Sequence, residues 1–365
     1  MTDTSPYTLA EIPRQVAALS EDLRACYPAV AKAVRQRENT FGWDGLTRVV
    51  VTGNGDSLHA ALATEMAFHT FGGVACEPVS PLRLLEYGTP WERRAGVHTL
   101  VVGVSASGGN AQVVDALACA TRNGARTLAV TSTEGSAVTR AAQRALVLPL
   151  AGLLPCPGIR TFQASLLPLY LVAIEIGRAR GHLGDHGADA IGAELATVAD
   201  AVAATTDLLG HSCALVAEQV AEQVAGTSVV LALGSGPGYG SAHFAAAKLV
   251  EAAGVFAAAQ QFEEWEHVEV LARPRDLPTL VFATPSRTRQ LALAVARRAR
   301  ALGRTVIAVG EADDTELAAA AGTVLPVAGG VREEFSPLLA QVAAGRLAGE
   351  IAGRLGRVPF STNCP

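Results

Sequence analysis

Two short loops hold the residues best suited to chemistry. Gly53-Asn-Gly-Asp-Ser57 and Ser105-Ala-Ser-Gly-Gly-Asn110 each place hydroxyls, an amide and glycines between a β-branched run and a helical one. The glycines let backbone approach a ligand, the hydroxyls donate, and the helix N-terminus adds unpaired N–H groups and the positive end of its dipole. That combination suits a single phosphate. One such loop reads equally well as an N-cap and a turn, because Ser, Asn and Gly are the ordinary residues there. Two of them in one series of strand–helix units favour donors converging from separate loops. A dinucleotide site is the competing reading, since Gly53-Asn-Gly55 opens a G-x-G-x-x-G pattern and Glu77 follows at about the 20-residue spacing of that motif. Leu58 stands where the third glycine belongs, and Tyr239 does so in Gly234-Ser-Gly-Pro-Gly-Tyr-Gly240. No cofactor is therefore expected.

The elements around these loops alternate. Arg48-Val-Val-Val-Thr is a strand stopped by glycines, and residues 57–71 carry apolar positions at helical spacing. Strands recur at 74–76, 98–104 and 127–130, with helices at 111–124, 136–143 and 162–181. A helical stretch over 188–225 leads into a second round, with strands at 228–233, 280–283 and 305–309 and helices at 241–253 and 287–302. The repeat of about 180 residues exceeds solenoid periods and implies duplicated domains. The expected fold is α/β: two doubly wound, flavodoxin-like parallel sheets flanked by helices. The domains are set at 1–45 for a helical leader, 46–190, 191–345, and 346–365 for a tail. Ligands in such sheets lie beyond the carboxyl ends of strands where strand order reverses, which is where the two loops would sit.

Composition narrows the partners. The chain has 365 residues, 17% of them charged, with a formal charge of -5 and a pI near 5.9. This offers no basic field for a nucleic acid. The six cysteines are scattered without metal or disulfide spacing, so they are expected to be reduced thiols and no metal is expected. No signal peptide is visible and no run is expected to cross a membrane, which points to a cytoplasmic protein.

Further motifs complete the pattern. Glu11-Ile-Pro-Arg-Gln15 is similar to an E-I-x-E-Q opening, Gly55-Asp-Ser57-Leu-His-Ala60 to G-T-S-x-x-A, Ser105-Ala-Ser107-Gly-Gly-Asn110 to S-x-S-G-E-T, and Gly135-Ser136 to a G-S pair. Lys248-Leu-Val-Glu251 is similar to K-L-K-E, and Glu264 and His267 fall on the glutamate and histidine of E-x-K-H-G-P, the histidine 16 residues after Glu251. Together these resemble the double-SIS-domain sugar-phosphate isomerase and deglycase family, which includes the isomerase half of glucosamine-6-phosphate synthase and fructoselysine-6-phosphate deglycase. The resemblance spans nearly the whole chain.

It implies that Ser57, Ser105, Ser107 and Asn110 hold a sugar phosphate, and that Gly55, Glu264 and Arg160 contact substrate. Glu251 would move a proton between C1 and C2, His267 would open the sugar ring, and Lys248 would complete the catalytic set. A carboxylate and an imidazole can both be tuned for proton exchange near neutral pH. Without the resemblance, Lys248 and Glu251 read as an ordinary i, i+3 surface pair. The family also implies a homodimer with a composite site at the subunit interface. There are departures: Gly109 and Asn110 replace Glu-Thr, Val268-Glu269 replaces Gly-Pro, Arg160 replaces a lysine, Thr284-Pro-Ser-Arg-Thr288 lacks the S-x-S-G form, and residues 357–365 lack the synthase's imine-forming lysine. No glutaminase domain is seen. The expected activity is isomerase, deaminase or deglycase chemistry on a sugar phosphate, with altered amine chemistry or a non-catalytic phosphosugar sensor as alternatives.

Overall fold

The structure, a computed structural model, describes residues 6–88, 98–227 and 229–361. It divides into two compact units, one of residues 21–152 and 160–197, the other of residues 1–20, 153–159 and 198–365. Each is built on a five-stranded parallel sheet. The expected α/β fold with two parallel sheets is therefore present.

In the first unit, β1 (Arg48–Thr52), β2 (Ala75–Val79), β3 (Thr99–Val104), β4 (Arg126–Thr131) and β5 (Arg144–Val147) lie in the order β2-β1-β3-β4-β5. All six residues of β3 are buried, as a central strand covered on both faces requires. The edge strand β2 carries Pro78, whose missing N–H costs least there. Helices α2 (Asp56–Thr70), α3 (Pro81–Glu86), α4 (Ala111–Arg122) and α5 (Ala137–Ala141) connect the strands. The order reverses between β1 and β3, which pair in parallel with Thr52 opposite Gly103. Ile159–Ala179, called α6, is the one described helix long and apolar enough to cross a membrane, although no such run was expected. Of its most apolar window, 94% is buried within the chain. That places it as a core helix.

The second unit repeats the plan. Strands β6 (Val229–Gly234), β7 (Phe256–Gln261), β8 (Thr279–Phe282), β9 (Val306–Glu311) and β10 (Thr323–Val327) take the order β10-β9-β8-β6-β7. The edge strand β10 again holds a proline, Pro326. Its helices include α8 (Pro237–Ala253), α9 (Phe262–His267), α10 (Arg289–Ala301), α11 (Thr315–Ala321) and α12 (Pro337–Arg354), after α7 (Gly184–Thr227) with its kink at Gly210. The start of α1 (Glu11–Phe41) packs on α12 through small residues. A side chain at Gly349 would come within 2.7 Å of Ile12.

The sequence boundaries map onto these elements as follows. The one between 190 and 191 falls inside α7, and the one between 345 and 346 inside α12. The first residues of the leader group with the second sheet. Five cysteines are free thiols, and Cys364 lies outside the described residues.

Candidate functional site

The two hydroxyl-bearing loops follow β1 and β3, on either side of the reversal in the first sheet. They touch: the Asn54 side-chain amide donates to Asn110 Oδ1 at 3.4 Å and to Gln112 Oε1 at 3.2 Å. Gly53 is what lets β1 end so close to β3, because a Cβ there would meet Ser57 Cβ at 2.5 Å and Val104 O at 3.0 Å. Gly55 caps α2 at φ 55°, ψ -128°, a conformation that favours glycine. No side chain caps that helix, and Ser57 sits in its first turn.

The second loop is tied to β4 and to the segment after it. The Ser105 N–H donates to Val130 O at 3.0 Å, Gly108 N–H to Ser105 O at 3.0 Å, and Val138 N–H to Gly108 O at 3.0 Å. Gly108 has φ 69°, and a Cβ on it would lie 2.2 Å from Ser136 Oγ. Ser105 is buried and Ser107 exposed. Ser136 Oγ is buried and, among the described residues, has no hydrogen-bond partner. Its position beside Gly108 makes it a further candidate donor, visible in the sequence only as the second half of Gly135-Ser136.

Two selected residues have structural duties. Asn110 is the N-cap of α4, its Oδ1 accepting from Val113 N–H at 3.1 Å, so only its amide NH2 remains for a ligand. Arg160 is buried and forks onto Asp22, with Nε–Oδ2 at 2.6 Å and Nη2–Oδ1 at 2.7 Å, while Nη1 donates to Ala151 O at 3.0 Å. The structure gives this guanidinium to Asp22, not to an open surface.

In the second unit, Lys248 and Glu251 lie one turn apart near the end of α8, bonded at 2.5 Å. This is no surface pair: the lysine side chain is 1% exposed and the glutamate 26%. The Lys248 ammonium also stands 5.2 Å from the centre of the Phe244 ring. The chain has only 2 lysines among its 29 cationic residues, Lys32 and Lys248. An ammonium can yield its proton when buried, whereas a guanidinium stays charged. The last turn of α8 is closed by Gly254 at φ 59° and by the chain beyond α12: Arg357 Nη1 donates to Ala253 O at 2.5 Å and Phe360 N–H to Glu251 O at 2.8 Å.

Sequence reasoning passed over Cys156. Burial pushes its thiol up to about 12, helped by the negative charges of Glu11 and Glu251 and opposed by Lys248. Glu11 is itself buried and takes a hydrogen bond from Gln15, whose amide also reaches Leu154 O at 2.9 Å. Glu11, Cys156, Lys248 and Glu251 thus share one charged neighbourhood. Its members are up to 240 residues apart in sequence, which no local pattern exposes.

Glu264 and His267 are exposed on the six-residue helix α9. Among the described residues, neither side chain hydrogen-bonds to another. No cluster of three or more potential metal ligands occurs among the described residues. The chemistry on offer is anion binding at one loop pair, and proton exchange by a carboxylate and an imidazole.

Residues 46–152 match the SIS domain family. Over 345 residues, 94% of this chain and 54% of the relative, it is 27% identical to an isomerizing glutamine–fructose-6-phosphate aminotransferase of Methanosarcina mazei. With the Streptomyces coelicolor enzyme of the same name it shares 28% identity over 275 residues, covering 73% of this chain and 43% of that one. The chain thus spans about half the length of the curated relatives it matches. Among solved structures, the C-terminal domain of glucosamine-fructose-6-phosphate aminotransferase from Francisella tularensis superposes with TM-score 0.80 at 16% identity, covering 95% of this chain and 97% of that one. Glucosamine-6-phosphate deaminase from Thermotoga maritima gives 0.70 at 16% identity, covering 95% and 96%. By these comparisons residues 46–152 are similar to the SIS domain family, and the chain is similar along most of its length to about half the length of the isomerizing aminotransferases.

Proposed function

We propose that this chain binds a sugar phosphate and catalyses proton transfer between its C1 and C2, as an isomerase, deaminase or deglycase. The observation that carries the reading is Glu251: a carboxylate held by a fully buried ammonium at 2.5 Å yet still reachable by solvent. A base must be both fixed and accessible.

The steps follow from the residues. Ser57, Ser105, Ser107 and the Asn110 amide donate to the phosphate, with backbone N–H groups of the glycine turns beside them. Lys248 fixes the Glu251 carboxylate by a charge-assisted hydrogen bond. Glu251 takes the proton from one carbon and returns it to the next, while the hydroxyl proton moves between the adjoining oxygens, so the enediol forms and collapses with no net charge left on the product. His267 exchanges the ring-oxygen proton when the sugar opens, and Glu264 contacts the substrate. The sugar-phosphate class is supported by the names of the relatives, and the proton transfer by the Lys248–Glu251 geometry. A cytoplasmic homodimer is part of the proposal, with light scattering as its test.

Thermal shift over hexose, pentose and amino-sugar phosphates tests the binding half, because a ligand of the native state raises apparent stability. Conversion of the bound sugar phosphate, read by product analysis with solvent deuterium at C1 or C2 as a supporting label, tests the second half. Binding without conversion would make the chain a phosphosugar sensor.

A further inference from the structure

Helix α9 poses a mechanical problem. Six residues are too few for a helix to hold itself by its own hydrogen bonds. Glu264 and His267 project from it exposed. Something else must fix their direction.

Part of the answer lies beneath. Phe262 and Trp265 are buried among Leu277, Leu293 and Ala296. Gln260 Nε2 adds a tie to Glu269 Oε1 at 3.0 Å, and a further one comes from Arg304, in the turn before β9. Its Nη2 donates to Glu269 O at 2.5 Å, two residues past His267. Its guanidinium carbon stands 5.3 Å from the centre of the Trp265 ring. Arg304 is 5% exposed, and burial pulls its pKa down, against the Glu269 carboxylate nearby. Its Nε and Nη1, Trp265 Nε1 and Glu269 Oε2 are all buried and, among the described residues, bonded to nothing.

Such a cation is expensive to keep. An apolar residue of similar volume in place of a buried charge is often neutral or stabilising. Stability alone therefore gives no reason for an arginine here, whereas anchoring the carbonyl beyond His267 does. Resting on the role given above to His267, we propose that Arg304 is a positioning residue for the acid/base step. Through the Glu269 carbonyl and the Trp265 ring it holds residues 262–271, and with them His267, in the orientation that proton exchange requires.

The test uses the full chain. Arg304→Met keeps the volume and removes the donors, and amide hydrogen exchange is read beside steady-state kinetics on a sugar phosphate. Exchange across 262–271 should speed up at least about tenfold while β6, β8 and β9 keep wild-type protection. The kcat should fall about tenfold with KM within about threefold, since the phosphate loops are untouched. Unchanged exchange in Arg304→Met overturns the proposal, and so does faster exchange with unchanged kcat. Should that variant fail to fold, Arg304→Lys carries the test. An ammonium can still donate to the carbonyl but lacks the broad guanidinium that stands over the Trp265 ring. Partial loss on both readouts is then expected, and wild-type values on both overturn the proposal. A wild-type chain that turns over no sugar phosphate refutes the function proposed above instead, and exchange still decides whether Arg304 holds the segment.

Discussion

Replacing Glu251 by glutamine separates chemistry from binding and tests the burial of Lys248 at the same time. At 2.5 Å and an effective dielectric of about 20, the pair attracts by about 7 kcal/mol, most of it offset by the cost of taking the ammonium out of water. Removing one partner of a fully buried pair costs about 3–5 kcal/mol. Glu251 is 26% exposed, so water takes up part of the loss, and the glutamine oxygen still accepts one hydrogen bond. About 2 kcal/mol remains, which lowers Tm by about 4–8 °C for a domain of this size. Turnover should fall by about 10²–10⁴, the usual worth of a general base. The thermal shift produced by sugar phosphate should persist, because the serine loops are unchanged. Adding Lys248→Met should restore most of the lost stability, as the buried charge is gone. Differential scanning calorimetry and a coupled sugar assay measure both effects. A kcat within twofold of wild type would refute the base assignment, and an unchanged Tm would show that Lys248 does not depend on Glu251.

Ser105→Ala with Ser107→Ala should weaken sugar-phosphate binding at least about tenfold per hydroxyl, since a hydrogen bond to a charged group is worth about 1.5–3 kcal/mol; titration calorimetry reads it. Gly108→Ala should destabilise by about 1–3 kcal/mol, because φ is positive there and the new methyl overlaps Ser136; urea unfolding checks this, and wild-type stability would contradict the packing described. The thiols of Cys156 and Cys213 are each raised from an ordinary 9.0 to about 12, chiefly by burial. Both are then neutral in the fold at neutral pH, so the stability they contribute is complete below pH 9 and lost as pH rises toward about 12. Alkaline titration of Tm should show that fall, and Cys213→Ala should flatten part of it.

The sequence exposed what depends on neighbours along the chain. Val49 to Val51 followed by Gly53 reads as a buried strand and a tight turn, and the same grammar located the loop at Ser105. Strand β7, Phe-Ala-Ala-Ala-Gln-Gln, did not read as a strand, because alanine and glutamine have little intrinsic preference for one and only pairing with β6 makes it so. Strand β5, Arg-Ala-Leu-Val, and strand β10, interrupted by Pro326, carry weak strand signals of their own and form by pairing with β4 and β9. The burial of Lys248 was equally hidden, since an i, i+3 pair looks alike on either face of a helix. The fork of Arg160 onto Asp22 is invisible in the same way, since the two lie 138 residues apart. Periodicity records which face is apolar, but not which distant residue will complete a charge.

The scarcity of lysine gives the site a built-in reporter. Lys32 lies exposed on α1, while Lys248 has 1% of its side chain in contact with water and its ammonium held by a carboxylate. An acylating reagent applied to the folded protein should therefore mark Lys32 and leave Lys248 unlabelled. Every Lys248 adduct then counts one opening of the charged neighbourhood, so the breathing of the proposed active centre can be timed by mass spectrometry, without mutation and without knowing the substrate.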